Sequence, residues 1–267
     1  MAVSYVLNLG DCLGRGGMAT LAEKSVDHVI ADAPYSEHVH EKSRRGLTGT
    51  HVGGRQDEIS ERRELGFDHI TVAQMEAAAD QFARVARRWT LVFCDVESVY
   101  LWRGALSSAG LDVPRTCGSE QPATVIWHKI GGAPQFTGDR PAVAFEAIVV
   151  AHPPGRKRWN GGGKAGWYAH ATAIDRDRRG LDARRHTTQK PIALMEELIV
   201  DFTDPGETIL DPYAGSGTTG AAALRLGRSF VGWELKPEHH AVATERLRLT
   251  SGLPAAFHVD ARQGSLL

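Results

Sequence analysis

One glycine-rich segment, Thr208 to Gly220, limits the fold of this chain more than any other stretch. It reads Thr-Ile-Leu-Asp-Pro-Tyr-Ala-Gly-Ser-Gly-Thr-Thr-Gly, so a short apolar run passes directly into a glycine turn and a helix-compatible stretch. Gly215 and Gly217 allow the backbone to approach a ligand closely, where a Cβ would collide. A strand, a glycine turn and a helix in this order predict an α/β unit with a binding site at the turn.

Short apolar runs alternate with amphipathic stretches along the rest of the chain. The patterns predict strands at 3–9, 26–31, 90–94, 123–127, 144–150, 208–210 and 230–233. They predict helices at 72–88, 98–109, 217–226 and 237–250, and one more that begins near Pro191. This alternation favours the α/β class, with a mainly parallel sheet covered by helices.

Composition excludes several other classes of protein. The 267 residues are 42% hydrophobic and carry a net charge of −1, so any nucleic-acid footprint must be local. Three cysteines without CxxC spacing argue against a disulfide framework or a cysteine zinc site and favour a reducing cytoplasm. No signal peptide and no apolar stretch of about 20 residues is present, so a cytoplasmic protein without a membrane partner is expected. The paired histidines lack metal-ligand spacing, and no metal site is predicted: His38, His40, His239 and His240.

Two polar segments interrupt the alternation. Residues 36–66 have no trustworthy period, and a loop of that length is usually functional or disordered. The second segment, residues 155–190, is basic and contains three aromatic residues, Trp159, Trp167 and Tyr168. Its basic residues are Arg156, Lys157, Arg158, Lys164, Arg176, Arg178, Arg179, Arg184, Arg185 and Lys190. This composition suits phosphates and unpaired bases, although a solvated basic loop is an alternative.

The glycine turn follows an acidic strand tip, which indicates the charge of its ligand. Asp211 is ill suited to a pyrophosphate, but it attracts a cation such as the sulfonium of S-adenosylmethionine. Glu234 ends the next strand, where a carboxylate can accept hydrogen bonds from two ribose hydroxyls. The glycine spacing also fits GxGxxG, so a nicotinamide oxidoreductase stays open, whereas a P-loop is excluded because Gly-Lys-Ser/Thr is absent.

The tetrapeptide Asp32-Ala33-Pro34-Tyr35 follows an apolar strand, at the sheet edge where α/β proteins bind ligands. Asp32 can accept one hydrogen bond from an exocyclic amine, and a backbone carbonyl can accept the other. Two acceptors would pull the nitrogen towards sp³ geometry and point its lone pair at the methyl group. Tyr35 offers a face on which a base can stack. An ordinary strand-to-loop turn is the alternative interpretation.

Together these motifs resemble those of the DNA amino-methyltransferases. That family has an amine motif (Asp/Asn/Ser)-Pro-Pro-(Tyr/Phe/Trp) and a cofactor motif similar to Asp-Pro-Phe-x-Gly-x-Gly. The segment His186 to Pro191, His-Thr-Thr-Gln-Lys-Pro, resembles the third signature His-Pro-Thr-Gln-Lys-Pro. Gly10-Asp11 resembles the acidic turn that meets the adenine, and the residues before Glu234 resemble the ribose-binding strand end. The amine motif comes first, as in the β-type, circularly permuted group.

The resemblance implies a Rossmann-like methyltransferase fold, with helices on both faces of a mostly parallel sheet and a small basic target-recognition insertion. It divides the chain into an amine-binding half at 1–151, an insertion at 152–185 and a cofactor-binding half at 186–267. The catalytic residues it implies are Asp32, Ala33, Pro34 and Tyr35. The residues it implies for binding S-adenosylmethionine are Asp11, Gln189, Lys190, Asp211, Tyr213, Gly215, Gly217 and Glu234.

The implied reaction is methyl transfer to the exocyclic amine of a base flipped out of double-stranded DNA. Asp at the first motif position favours adenine N6; cytosine N4 and an RNA substrate stay open, as do a homodimer and a restriction partner. No cysteine follows a proline, which disfavours methylation at cytosine C5. Ala33 and Thr187 replace family prolines. The first replacement motivates an alternative, a nucleic-acid-binding protein with lapsed catalysis.

Overall fold

The computed structural model describes residues 3–35, 69–113, 124–131, 138–172 and 189–252. Several sequence predictions therefore lie outside the described residues. These are the loop at 36–66, the basic residues at 176–185 and the first three residues of the third signature, at 186–188.

Eight strands and five α-helices are described in these ranges. The strands are β1 (Tyr5–Leu9), β2 (His28–Asp32), β3 (Thr90–Cys94), β4 (Val125–Ile130), β5 (Phe145–Ala151), β6 (Trp167–Ala171), β7 (Thr208–Asp211) and β8 (Ser229–Glu234). The helices are α1 (Val72–Val85), α2 (Val99–Ser108), α3 (Ile192–Phe202), α4 (Thr218–Arg225) and α5 (Pro237–Ser251).

All eight strands form one sheet in the order β1-β8-β7-β2-β3-β5-β4-β6. The neighbours from β1 to β3 pair in parallel. β5 pairs antiparallel with β3 and with β4, whereas β4 and β6 are parallel to each other. Among the described strands, β5 alone therefore runs against the others, and the expected mostly parallel α/β sheet is confirmed.

Alternating side chains of the central strands supply a core on each face of the sheet, as the two-residue period of a strand requires. On β3, Val92 and Cys94 belong to the core that buries α1 and α2, whereas Leu91 and Phe93 belong to the core that buries α3 and α4. Helices consequently cover both faces, as predicted. Thr71 starts α1 through a capping box. Its hydroxyl accepts from the backbone amide of Gln74, and the side-chain oxygen of Gln74 accepts from the backbone amide of Thr71.

The edge strand β6 was not predicted. The segment around it is rich in glycine and basic residues, which hides a five-residue strand without β-branched side chains. Tyr168 on β6 is buried, and its hydroxyl donates to Asp201 Oδ2 on α3 at 2.9 Å. This tyrosine packs in the core and is not available for stacking on a base. The domain division stays a prediction, although β6 belongs to the main sheet. No helix in the described part of the chain has the length and apolar character to cross a membrane.

Candidate active site

The carboxyl ends of four parallel strands lie side by side at one edge of the sheet. Pairing sets Leu9 of β1 beside Glu234 of β8, and Asp211 of β7 beside Gly232. β7 lies between β8 and β2, because it pairs with β2 on the side opposite β8. An acidic residue lies at or just after each of the four strand ends: Asp11, Asp32, Asp211 and Glu234. The amine motif and the glycine turn, far apart along the chain, therefore meet at adjoining strand tips.

The glycine turn between β7 and α4 is held by the neighbouring strand β8. The amide of Gly215 donates to Glu234 Oε2 at 2.8 Å, and the amide of Ala214 donates to the carbonyl of Trp233 at 2.8 Å. Gly215 and Gly217 have φ values of 53° and 76°, in the left-handed region that favours glycine. A Cβ on Gly217 would also approach the Cα of Ala243 on α5 to 3.2 Å. Backbone conformation and packing thus both require this glycine.

Asp211 is a buried carboxylate without a described cationic neighbour. Its Oδ1 accepts from the amide of Tyr213 at 3.0 Å. Burial raises the pKa of Asp211 to about 7, and the carboxylates of Asp32 and Glu234 raise it further against hydrogen bonds that lower it. A cation bound at this edge would relieve that repulsion, so the acidic cluster fits the positively charged S-adenosylmethionine better than a pyrophosphate.

The remaining predicted cofactor residues surround the same turn. Glu234 Oε1 accepts from the amide of Lys236 at 2.9 Å, which orients the carboxylate at the end of β8. Asp11 is exposed and caps its own turn, where its Oδ1 accepts from the amide of Leu13 at 2.9 Å. The hydroxyl of Ser216 donates to Gln189 Oε1 at 3.3 Å, which connects Gln189 to the glycine turn. Their roles in binding a cofactor stay predictions.

The amine motif begins at the last residue of β2 and contacts a buried lysine. Lys190 Nζ lies 2.7 Å from Asp32 Oδ1 and 3.0 Å from Glu146 Oε2. The hydroxyl of Tyr35 donates to Glu146 Oε1 at 2.7 Å. The structure thus places Lys190, which the resemblance assigns to the cofactor, against the amine motif.

Opposite charges stabilise the ionised forms in this cluster. Burial alone would lower the pKa of Lys190, but Asp32 and Glu146 outweigh it and raise that pKa well above its usual range. Burial would raise the pKa of Glu146, but Lys190 and Lys129 lower it to about 2. Burial raises the pKa of Asp32, and the Lys190 ammonium opposes this shift. Lys190 and Glu146 are therefore both charged at neutral pH.

Sequence reasoning missed Glu146. It lies on β5, in the run Phe-Glu-Ala-Ile-Val-Val-Ala, and the side chain is buried. A lone carboxylate inside an apolar strand was the available signal, because such a group is costly to bury unless it is paired. Its partners lie on other strands and loops, which the sequence does not bring together.

The described part of the basic segment is largely paired with acidic residues. Lys157 Nζ lies 2.7 Å from Asp112 Oδ2, and Lys164 Nζ lies 2.6 Å from Asp201 Oδ2. Trp167 is 55% exposed, so it is the aromatic residue of this segment best placed to meet a ligand. No group of three or more potential metal ligands occurs among the described residues.

The known proteins that are similar to this chain are DNA methyltransferases. Residues 121–245 match the N6/N4 family model described as DNA methylase. The Type II methyltransferase M.HinfI of Haemophilus influenzae is 24% identical over 253 residues, which cover 90% of this chain and 67% of that protein.

Two solved structures share the fold. A crystal structure of M1.HpyAVI in complex with SAM has a TM-score of 0.61 and 23% identity, and the match covers 91% of this chain and 98% of that chain. The cytosine-N4-specific PvuII DNA methyltransferase has a TM-score of 0.66 and 14% identity, over 92% of this chain and 87% of that one. The family match and these relatives make the chain similar to the DNA amino-methyltransferases, and its amine motif precedes its cofactor motif in sequence, as in the β-type group that it resembles.

Proposed function

We propose that this protein transfers a methyl group from S-adenosylmethionine to the exocyclic amine of a base flipped out of double-stranded DNA, with adenine N6 as the favoured target. The observation that supports this most is the adjacency of two strand tips. Asp32 ends β2, Asp211 ends β7, and the two strands pair in parallel. A methyl donor above β7 would therefore lie beside an amine above β2.

The cofactor side uses the acidic edge and the glycine turn. Asp211 and Glu234 supply the negative charge that attracts a sulfonium and an ammonium, and Asp11 borders the same edge. Gly215 and Gly217 lack Cβ atoms and adopt left-handed backbone conformations, so the turn can approach a cofactor closely at these two positions. When bound, S-adenosylmethionine supplies an already electrophilic methyl group, so the chain needs no covalent nucleophile.

The amine side uses Asp32, the carbonyl of Ala33 and the ring of Tyr35. Lys190 is bound to Asp32 Oδ1, which leaves Oδ2 for an N–H of the base amine. Ala33 has the same carbonyl as the family proline, and the following Pro34 biases it towards an extended conformation. Asp32 would stabilise the positive charge that grows on the nitrogen, so catalysis consists of positioning and electrostatics.

The choice between adenine N6 and cytosine N4 rests on the aspartate at position 32, as in the sequence argument. The fold does not separate the two targets, since the cytosine-N4-specific PvuII enzyme also shares it. Cytosine N4 is therefore the second candidate. Cytoplasmic location, homodimer formation and a partner restriction enzyme stay predictions.

The test is transfer of labelled methyl from S-adenosylmethionine to unmethylated genomic DNA, followed by mass spectrometry of the nucleosides. We expect N6-methyldeoxyadenosine from the wild type and at least a 100-fold lower rate from Asp32→Asn, about the loss seen when one electrostatic catalytic contact is removed. Asp139→Asn is the matched control, because Asp139 is exposed. N4-methyldeoxycytidine would reassign the target, and no methylated base from any DNA would refute the proposal.

A further inference from the structure

Glu146 connects the two ends of the amine motif, because it contacts Tyr35 directly and Asp32 through Lys190. Oε1 accepts the hydroxyl proton of Tyr35 at 2.7 Å and lies 2.6 Å from Lys129 Nζ, while Oε2 lies 3.0 Å from Lys190 Nζ. The side chain has little exposure at the edge of the core. Both oxygens are therefore committed to charged or hydroxyl partners, as a buried carboxylate requires.

Lys190 is fixed between two carboxylates and three aromatic rings. Its Nζ lies 2.7 Å from Asp32 Oδ1, and the ring centroids of Phe93, Tyr35 and Trp127 lie 5.2, 5.8 and 5.9 Å away. These distances are within the range of cation–π attraction. An ammonium held in this way fixes the rotamer of Asp32 and determines which of its oxygens is left for a substrate.

A fixed cation next to the reacting nitrogen creates an electrostatic problem. Methyl transfer places positive charge on that nitrogen, and the nearby Lys190 ammonium opposes it. Glu146, the second carboxylate that pairs with Lys190, offsets the ammonium, so that Asp32 acts on the amine with its own charge largely undiminished. The lysine alone would position Asp32, but it would also weaken the stabilisation that Asp32 provides.

We propose that Lys190 and Glu146 are a pair of positioning residues for methyl transfer, which orient Asp32 and Tyr35 and balance the charge next to the reacting amine. This inference rests on the proposed function. It differs from the role in cofactor binding that the resemblance implies for Lys190, and it assigns a role to Glu146, which no motif includes.

If Lys190 and Glu146 act as such a pair, substituting one or the other should shift the pKa of Asp32 in opposite directions. The charged and titratable groups that face Asp32 come from several elements: Lys190 before α3, Glu146 on β5, Lys129 on β4, Tyr35 after β2 and Asp211 on β7. Removing the ammonium in Lys190→Met raises the pKa of Asp32, whereas removing the negative charge in Glu146→Gln lowers it. Asp32 must be ionised to accept the amine hydrogen, so the acid limb of the kcat profile moves to higher pH in the first variant and to lower pH in the second.

The experiment measures the pKa of Asp32 and the pH profile of kcat in the same variants. The protein is labelled with carboxyl-¹³C aspartate, and the Asp32 signal is assigned by its loss in Asp32→Asn. Glu146→Gln keeps an acceptor for Tyr35 and removes only the charge; we expect kcat on its plateau to fall roughly 10-fold, less than the loss for a directly contacting group. Lys190→Arg should restore most of the activity lost in Lys190→Met. Binding of S-adenosylmethionine, measured by calorimetry, should change less than twofold in all three variants.

Two further variants control for structural damage. Glu197→Gln removes a carboxylate of α3 that pairs with Lys164 and His170 and is not among the groups that shift the pKa of Asp32, so it should leave both the Asp32 signal and kcat unchanged. Lys129→Met removes the half-buried lysine from the other side of Glu146 and should raise the pKa of Asp32 slightly. If Glu146→Gln does not fold, Lys129→Met still tests the sign of the charge balance.

The outcomes separate this inference from the proposed function. Opposite pKa shifts followed by opposite shifts of the kcat limb support the pair. Opposite pKa shifts without a change in the kcat limb, or weaker cofactor binding in Lys190→Met, would overturn the positioning role alone. A wild-type protein that transfers no methyl group to DNA would overturn both, and the ¹³C titration would still report the charge arrangement.

Discussion

Replacing Asp211 by asparagine should stabilise the protein at high pH and weaken its binding of a cationic cofactor. Burial raises the pKa of Asp211 from 3.8 to about 7. The folded state therefore holds this proton more tightly than the unfolded state does. The stabilisation that protonated Asp211 contributes is fully present below pH 3.8. It is lost as the pH rises from 3.8 to about 7, and it changes no further above that value.

The size of the effect follows from this pKa difference. Between pH 5 and pH 7, each pH unit changes the free energy of unfolding by about 1.4 kcal/mol, so the wild type loses about 3 kcal/mol that the asparagine variant keeps. Asp211 is 1% exposed, and solvent screening therefore reduces this figure little. Asparagine retains the oxygen that accepts from the amide of Tyr213.

Urea denaturation at pH 5 and pH 8 measures the difference directly. We expect Asp211→Asn to gain about 3 kcal/mol over the wild type on going from pH 5 to pH 8, whereas the exposed control Asp139→Asn should gain none. The same variant should lose more affinity for S-adenosylmethionine than for S-adenosylhomocysteine, which lacks the sulfonium charge. An equal change in stability at both pH values would refute the argument that Asp211 carries an unrelieved buried charge.

Three further changes test other parts of the site. Gly217→Ala forces a Cβ into a left-handed turn against α5 and should cost about 1–2 kcal/mol in thermal denaturation, whereas Gly163→Ala, with open space around it, serves as its control. Tyr35→Phe keeps the ring and should raise the KM for DNA less than Tyr35→Ala, which removes stacking worth about 1–3 kcal/mol. Thr71→Ala should destabilise the protein by about 1 kcal/mol in urea, because it removes the cap of α1.

The strands that were predicted best are those whose environment is uniform along their length. β3 was predicted at its observed bounds, since Thr90 to Cys94 are all buried and apolar residues fill both faces. β2 extends one residue beyond its prediction, to Asp32, because the ladder to β3 continues as far as Phe93. The observed bounds of a strand depend on pairing with its neighbours. A prediction based on apolar character therefore ends too early when the last residue of the strand is polar.

Glu146 shows what sequence patterns could not supply. Its position inside an apolar strand signalled an unusual residue, but its role depends on the order β3-β5-β4 and on the loop that carries Lys190. Motifs located the strand tips because each motif is local and directly follows its strand. The charge pairs between those tips join segments far apart in sequence, so they became visible only when the sheet order was known.

The dipeptide Gln189-Lys190 connects the two halves of the site. Gln189 accepts a hydrogen bond from Ser216 in the glycine turn, while Lys190 binds Asp32 in the amine motif. The Cα atoms of adjacent residues are about 3.8 Å apart, so these two contacts limit how far the glycine turn and Asp32 can move relative to each other. Because in-line transfer is sensitive to displacements of about 1 Å, a short segment that contacts both sides contributes to alignment even if it touches neither reacting atom. This explains physically why a sequence signature separate from the amine and cofactor motifs lies immediately before α3.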